Sequence, residues 1–185
     1  NGILIPSLCH QSDLAPSGNC RLCMVKIEGW GTEAPACAVK VAPAMKIHTD
    51  TPRIAASRRA VLEMLLARYH DADWGKQEKP GSEFEYWCRR YGATVPAGLH
   101  DPGPHPVDAD PHPYIRVDLN RCILCARCVR ACGELQVRHV WGIAQRADHA
   151  HVVAGFDQAM LEARCESCGA CAAFCPTGAL EDRSV

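Results

Sequence analysis

Cys165-Glu166-Ser167-Cys168-Gly169-Ala170-Cys171-Ala172-Ala173-Phe174-Cys175-Pro176 places three thiols at a spacing of three and a fourth directly before a proline. A C-x2-C loop turns back on itself so that successive thiolates converge. A third Cys three residues on reaches another corner of a cubane, and the fourth lies beyond the loop. This is the spacing of an iron-sulfur site. A sister run stands upstream at Cys122-Ile123-Leu124-Cys125-Ala126-Arg127-Cys128-Val129-Arg130-Ala131-Cys132, so the chain contains an internal repeat.

Where two such runs share one ferredoxin-type unit, the fourth Cys of each serves the other cluster. The expected sets are therefore Cys122, Cys125, Cys128 and Cys175 around one 4Fe-4S cluster, and Cys165, Cys168, Cys171 and Cys132 around a second. Structural zinc is the competing reading of any C-x2-C pair. Two such pairs would satisfy one zinc ion and leave the third Cys of each run, with Cys132 and Cys175, unemployed.

A third group of thiols lies near the start. Cys9, then Cys20-Arg21-Leu22-Cys23, then Cys37 supply four thiolates, enough for a 2Fe-2S rhombus at two per iron. Gly18 lets the backbone wrap close to such a site, and Met24-Val25-Lys26-Ile27 alternates like a strand leaving it. Thr51-Pro52 followed by Ile54, Val61, Leu62, Leu65, Leu66 and Tyr69 predicts an N-capped amphipathic helix of about five turns. Its apolar stripe is read as core. From 96 to 113 come six prolines, Pro96, Pro102, Pro104, Pro106, Pro111 and Pro113, with His100, His105 and His112 among them. Such density excludes helix and central strand and predicts an extended surface connector. The interleaved histidines lack a metal-ligand spacing.

Tyr114-Ile115-Arg116-Val117-Asp118 predicts a short strand, Asn120-Arg121 a turn, and Val140 to Ile143 with His151 to Gly155 a strand pair between the two repeats. Ile123, Leu124, Val129 and Phe174 are the expected walls that keep water from the clusters. Pro176-Thr177-Gly178-Ala179-Leu180 closes the second repeat.

The first thiol block, with Gly2-Ile3-Leu4-Ile5-Pro6-Ser7-Leu8-Cys9 and its gaps of ten and thirteen residues, resembles the start of the complex I large peripheral subunit. It is equally similar to the soluble NAD-linked formate dehydrogenase α subunit and the [FeFe]-hydrogenases. The resemblance implies an α+β chain in four parts: a 2Fe-2S ferredoxin (β-grasp) domain at 1–50 lacking its opening hairpin and helix, a helical region at 51–95, the Pro-rich connector at 96–113, and a two-4Fe-4S ferredoxin-like domain at 114–185. Because the chain begins with Asn, residues before it are expected in the natural polypeptide. In these families the helix leads into H-x3-C-x2-C-x5-C, the ligands of a further 4Fe-4S cluster. Here His70 remains, but Trp74, Gln77 and Glu83 or Ser82 stand at the cysteine positions, and no soft thiolate triad is left. The expectation is that this cluster is lost, with His70 at the surface, Cys88 a buried small hydrophobe, and Trp74, Phe84, Tyr86 and Trp87 filling the space. The run Arg121 to Gln136 looks most like the formate dehydrogenase α subunit. That implies partners: a flavin/NAD-binding subunit and a molybdopterin, or else a hydrogenase, catalytic subunit.

Composition bounds these readings. Twenty basic and 21 acidic residues nearly cancel, which argues against nucleic acid or an anionic membrane as a partner. No apolar run approaches the roughly 18 residues of a spanning helix. Thirteen cysteines, an odd number, with no signal peptide, point to a reducing, cytoplasmic compartment rather than to disulfides. The residues contain no Gly-rich phosphate loop, nucleophile elbow or HExxH, and irons bound wholly by Cys leave no open coordination position. Electron conduction follows. A redox-sensing or structural metal-binding module is the alternative of another class, and a freely diffusing carrier would need only one block.

Overall fold

The computed structural model describes residues 2–71, 74, 76–94 and 105–184. Pro96, His100, Pro102 and Pro104 lie outside the described residues. The expected strand at Met24 forms as β1 (Met24–Ile27), paired antiparallel with β2 (Ala34–Pro35) on one edge and β3 (Ile47–His48) on the other. Val25 and Ile27 point to the buried side with Ala34, as the alternation requires. Both edges of β1 are thus occupied, although each partner is only two residues long.

Helix α1 (Pro52–Leu66) starts where the cap signal placed it: Thr51 Oγ1 accepts from Ile54 N at 3.2 Å, and Pro52 occupies the first turn. It ends at Leu66, about four turns rather than five. Helix α2 (Glu83–Tyr91) is capped by Ser82 at one end and by the left-handed Gly92 at the other. The two helices, the loop Leu8, Cys9 and Leu22, and Ile123 and Cys125 share one apolar core. The first thiol block and the first repeat are therefore packed on each other through the helical region.

The remainder is built on two small antiparallel sheets. β4 (Ile115–Val117) pairs with β7 (Leu180–Asp182), joining the two ends of the repeat region. β5 (Trp141–Ala144) pairs with β6 (His151–Ala154) between the repeats, as expected. Each cysteine run enters a short helix, α3 (Arg127–Arg130) and α4 (Ala170–Ala173), and α3 continues into a π-helical turn at Ala131–Leu135 that carries Cys132. Buried Ile115, Val117, Val140, Trp141, Val152, Met160 and Leu180 surround the thiols of both runs.

The segment 105–113 lies at the surface as expected, except at one residue. His112 is 1% exposed. Its Nδ1 accepts from the amides of Tyr114 and Ile115 at 3.2 and 3.0 Å, and its Nε2 lies 3.1 Å from Ser167 Oγ. A ring nitrogen that accepts twice carries no proton, so the other nitrogen donates to the serine.

Candidate iron-sulfur centres

The loop geometry repeats as faithfully as the sequence. In the first run Leu124 and Ala126, on either side of Cys125, have φ of 54° and 60°; in the second, Ser167 and Gly169, on either side of Cys168, have 58° and 74°. This left-handed curl turns amides toward sulfur: Leu124 N donates to Cys122 Sγ at 3.5 Å and Ser167 N to Cys165 Sγ at 3.4 Å. Arg21, between Cys20 and Cys23, has φ of 59°, and there Cys20 N donates to Cys9 Sγ at 3.3 Å and Leu8 N to Cys20 Sγ at 3.4 Å. Val140 N donates to Cys132 Sγ at 3.3 Å. Amide donors of this kind stabilise a thiolate.

The twelve expected ligands fall into three groups. Cys23 and Cys37 place their sulfurs 3.4 Å apart, and Cys9 and Cys20 form a second hydrogen-bonded pair. Within that pair the shared bond draws Cys9 below the ordinary thiol value and pushes Cys20 above it. Two pairs of thiols suit two irons with two thiolates each.

Cys122, Cys125, Cys128 and Cys175 line one small enclosed cavity with Ile123 and Leu180. Burial pushes the Cys122 thiol up to about 11 and Cys125 to about 12, and holds Cys128 well above the ordinary value. Cys165 lies close enough to Cys168 and Cys132 for their charges to repel, as does Cys171 to Cys165 and Cys168; burial raises both, Cys171 to about 11. Cys128 and Cys171 also feel each other, so the two groups are neighbours. Thiols this buried would be neutral alone and need a cationic centre to ionise. Among the described residues no three His, Cys, Asp or Glu side chains converge on one point as a mononuclear ion requires. Four soft donors set around a small apolar void, with amides aimed at the sulfurs, fit a polynuclear centre.

Of the expected walls, Ile123 is buried, while Leu124, Val129 and Phe174 are half-buried. In the second group Cys168 is exposed.

At the place of the missing His-ligated motif, His70 is exposed and its amide donates to Asn120 O at 2.8 Å. Phe84 is wholly buried and Trp74 partly so, their rings 6.0 Å apart and each against Tyr69. Trp87 and Cys88 are buried too. Tyr86, expected to fill the same space, is 40% exposed and packs only its edge against Trp87. On a helix it falls two positions from Phe84 and so on another face. Glu83 instead makes a forked pair with Arg127, at 2.7 and 3.2 Å.

Sequence reasoning missed the arginines that hold the loops. Arg58, 2% exposed, sits in the stripe of α1 between Ile54 and Leu62. It donates to the carbonyls of Leu22 and Met24, on either side of Cys23, and to Tyr91 Oη. Arg68 donates to the carbonyls of Cys122 and Ala150. The signal was available in the i, i+4 spacing Ile54, Arg58, Leu62, Leu66, where one cation interrupts an apolar row.

Fold and loops together define an iron-sulfur electron-transfer module with a 2Fe-2S-type part and a ferredoxin-like part. Residues 1–52 match the family described as 2Fe-2S iron-sulfur cluster binding domain, and residues 112–181 match that described as NADH-quinone oxidoreductase subunit 3, ferredoxin-like domain. The chain is similar to subunits of NADH-quinone oxidoreductases and of an NADP-reducing hydrogenase, and to a protein named for formate dehydrogenase. It is 37% identical over 182 residues to an NADH-quinone oxidoreductase subunit of Rhizobium meliloti, covering 97% of this chain and 21% of that one. It is 28% identical over 194 residues to a protein of Staphylococcus haemolyticus carrying the name formate dehydrogenase SH0748, covering 95% and 18%. The crystal structure of an NAD+-reducing [NiFe]-hydrogenase in the H2-reduced state superposes with a TM-score of 0.82 at 26% identity, covering 98% of this chain and 76% of that one. The chain thus spans about a fifth of the length of these two curated relatives.

Proposed function

We propose that the chain conducts electrons inside a multi-subunit oxidoreductase, with one 2Fe-2S cluster on Cys9, Cys20, Cys23 and Cys37 and two crossed 4Fe-4S clusters. One of these is held by Cys122, Cys125, Cys128 and Cys175, the other by Cys165, Cys168, Cys171 and Cys132. The observation that carries the reading is the grouping of twelve thiols into three sets, with backbone amides directed at their sulfurs. Bound there, the clusters supply one-electron redox centres in a row. The chain's own residues hold the thiolates, exclude water and keep the three sites close.

The run Arg121 to Gln136 favours an NAD-linked molybdenum or tungsten formate dehydrogenase, with a flavin subunit that reduces NAD and a molybdopterin catalytic part. The greater identity to a complex I subunit, 37% against 28%, favours the NADH-quinone oxidoreductase type as a second reading. No described helix is long and apolar enough to cross a membrane. Anaerobically purified protein should contain about ten irons and ten sulfides per chain and show three reduced EPR species. A value near four, or zinc in place of iron, overturns the cluster assignment. Co-purifying subunits distinguish the complexes: molybdenum or tungsten with flavin for the first reading, a quinone-linked assembly for the second.

A further inference from the structure

Among the positions at which the two halves of the repeat differ, two carry arginine in the first and alanine in the second. Between the second and third cysteines stands Arg127 in the first run and Ala170 in the second; two residues after the third cysteine, Arg130 and Ala173. Alanine therefore suffices to build the ferredoxin loop and its short helix, and the arginines serve something else. Both reach across to the first thiol block. Arg130 donates through Nη2 to the carbonyl of Cys9 and through Nη1 to that of Ala15. Arg127 donates to the carbonyl of His10 at 2.9 Å while its forked pair fixes Glu83 on α2. Asn19 Nδ2 donates to Leu124 O at 2.9 Å, and Glu134 accepts from Ala15 N at 2.8 Å. Apart from the pair with Glu83, every one of these bonds joins residues between 9 and 19 to the first cysteine run or the turn after it. The Nε atoms of Arg127 and Arg130, and Nδ1 of His10, are buried here without a hydrogen-bond partner. Two unpaired guanidinium N–H donors buried in one place add positive potential there, offset at Arg127 by its pair with Glu83.

Resting on the cluster assignment above, we infer that Arg127 and Arg130 are positioning residues that clamp the 2Fe-2S loop onto the first 4Fe-4S loop and hold positive charge between the two centres. They thereby set the distance of the electron step between them and raise both potentials. A reduced cluster gains a negative charge, and a nearby cation in a poorly solvated setting favours that state. The guanidinium of Arg130 also reaches two carbonyls of the first thiol block at once, in a fixed planar geometry that a flexible ammonium does not reproduce. The second 4Fe-4S group, with Ala170 and Ala173 in the equivalent places, lacks the device.

The test uses the complete cluster-loaded protein as Arg130→Met, Arg130→Lys and the double variant Arg127→Met/Arg130→Met. Iron content, EPR-monitored midpoint potentials and the spin-spin broadening between the reduced 2Fe-2S and 4Fe-4S signals are read for each. Expected for the Met variants are full iron, lowered potentials of the 2Fe-2S and Cys122 clusters, a smaller shift at the Cys165 cluster, and weaker broadening. Arg130→Lys should return the potentials toward wild type while the broadening stays weak, which separates charge from clamping. Hydrogen exchange at residues 9–19 should rise in all three variants, a readout independent of the clusters. Unchanged potentials and broadening with iron intact would overturn the clamp and leave the cluster assignment standing. Equal shifts at all three clusters would also overturn it. If the double variant fails to accumulate, Arg130→Lys alone decides: broadening at the wild-type level refutes the clamp.

Discussion

Phe84 is the side chain on which the helical region rests at the place of the missing His-ligated motif. It is wholly buried, with Tyr69 edge-on at 5.0 Å and Trp74 tilted at 6.0 Å. Its amide donates to Pro176 O at 2.9 Å, directly after Cys175. Truncation of a fully buried Phe to Ala costs about 3–5 kcal/mol, through lost transfer energy and the cavity left behind. Edge-on ring contacts add about 0.5–1.5 kcal/mol beyond area, so Phe84→Ala is placed at about 4 kcal/mol. Phe84→Leu keeps most of the volume and should cost clearly less. Trp74 is only partly buried, and Trp74→Ala should fall below the full-burial figure of roughly 3 kcal/mol. The assay is anaerobic urea denaturation of the loaded protein, followed by far-ultraviolet circular dichroism and by the visible absorbance of the clusters. Purified Phe84→Ala should still carry its full iron, because no thiol has changed. A loss of less than about 1 kcal/mol would refute the view that aromatic packing has replaced a cluster here.

His70→Ala should leave iron content and EPR spectrum unchanged; loss of about four irons would show a cluster held there by other ligands. Cys175→Ser should make labile, or change the spin properties of, the centre held by Cys122, Cys125 and Cys128, although it lies in the other repeat; alteration of the Cys165 centre alone would refute the crossed assignment. His112 gives a pH dependence. Burial holds its folded pKa below the ordinary 6.5, so its contribution to stability is whole above that value and is lost as pH falls through the lower folded one. The facing groups are Asp110, which accepts from the His112 amide and opposes the shift, Arg183, which donates to the His112 carbonyl and adds to it, and Ser167. Denaturation midpoints should fall as pH drops below 6.5 in the wild type and less in His112→Gln, and equal slopes would refute the assignment.

What the sequence showed, it showed through local rules. The alternation of Met24 to Ile27, the Thr51 cap and the strand pair flanking residues 145–150 each needs only neighbours to form, and each is found. The proposed cysteine groups rest on the same kind of local rule, because a loop that returns on itself is encoded by spacing. Burial of polar groups was not. Arg58, Arg127 and His112 read as surface residues on any hydropathy scale, and their partners lie 36, 117 and 55 positions away. Proline spacing around His112 also removes the periodicity by which a buried face is recognised. Tyr86 failed for a simpler reason: proximity to Phe84 in sequence does not put it on the same side of α2.

The loops themselves show why cluster binding and folding belong together in this chain. Leu124, Ala126, Arg21 and Ser167 all occupy left-handed backbone, which costs a residue with a Cβ roughly 1–2 kcal/mol. Glycine would avoid that cost, and the chain uses it at Gly169, yet keeps side chains at the other four places. In the first repeat the side chain of Leu124 packs against the core shared by the thiols, and Ser167 is held through His112. The strain therefore has two sources of compensation: contacts made by the side chain, and amide-to-sulfur bonds that strengthen when the sulfur is an iron-bound thiolate. The second source exists only with the cluster in place. Ligation free energy is folding free energy in such a site, and both repeats depend on it: the first carries left-handed Leu124 and Ala126 around Cys125, and the second, where Gly169 relieves one position, carries Ser167 and also Arg164 beside Cys165.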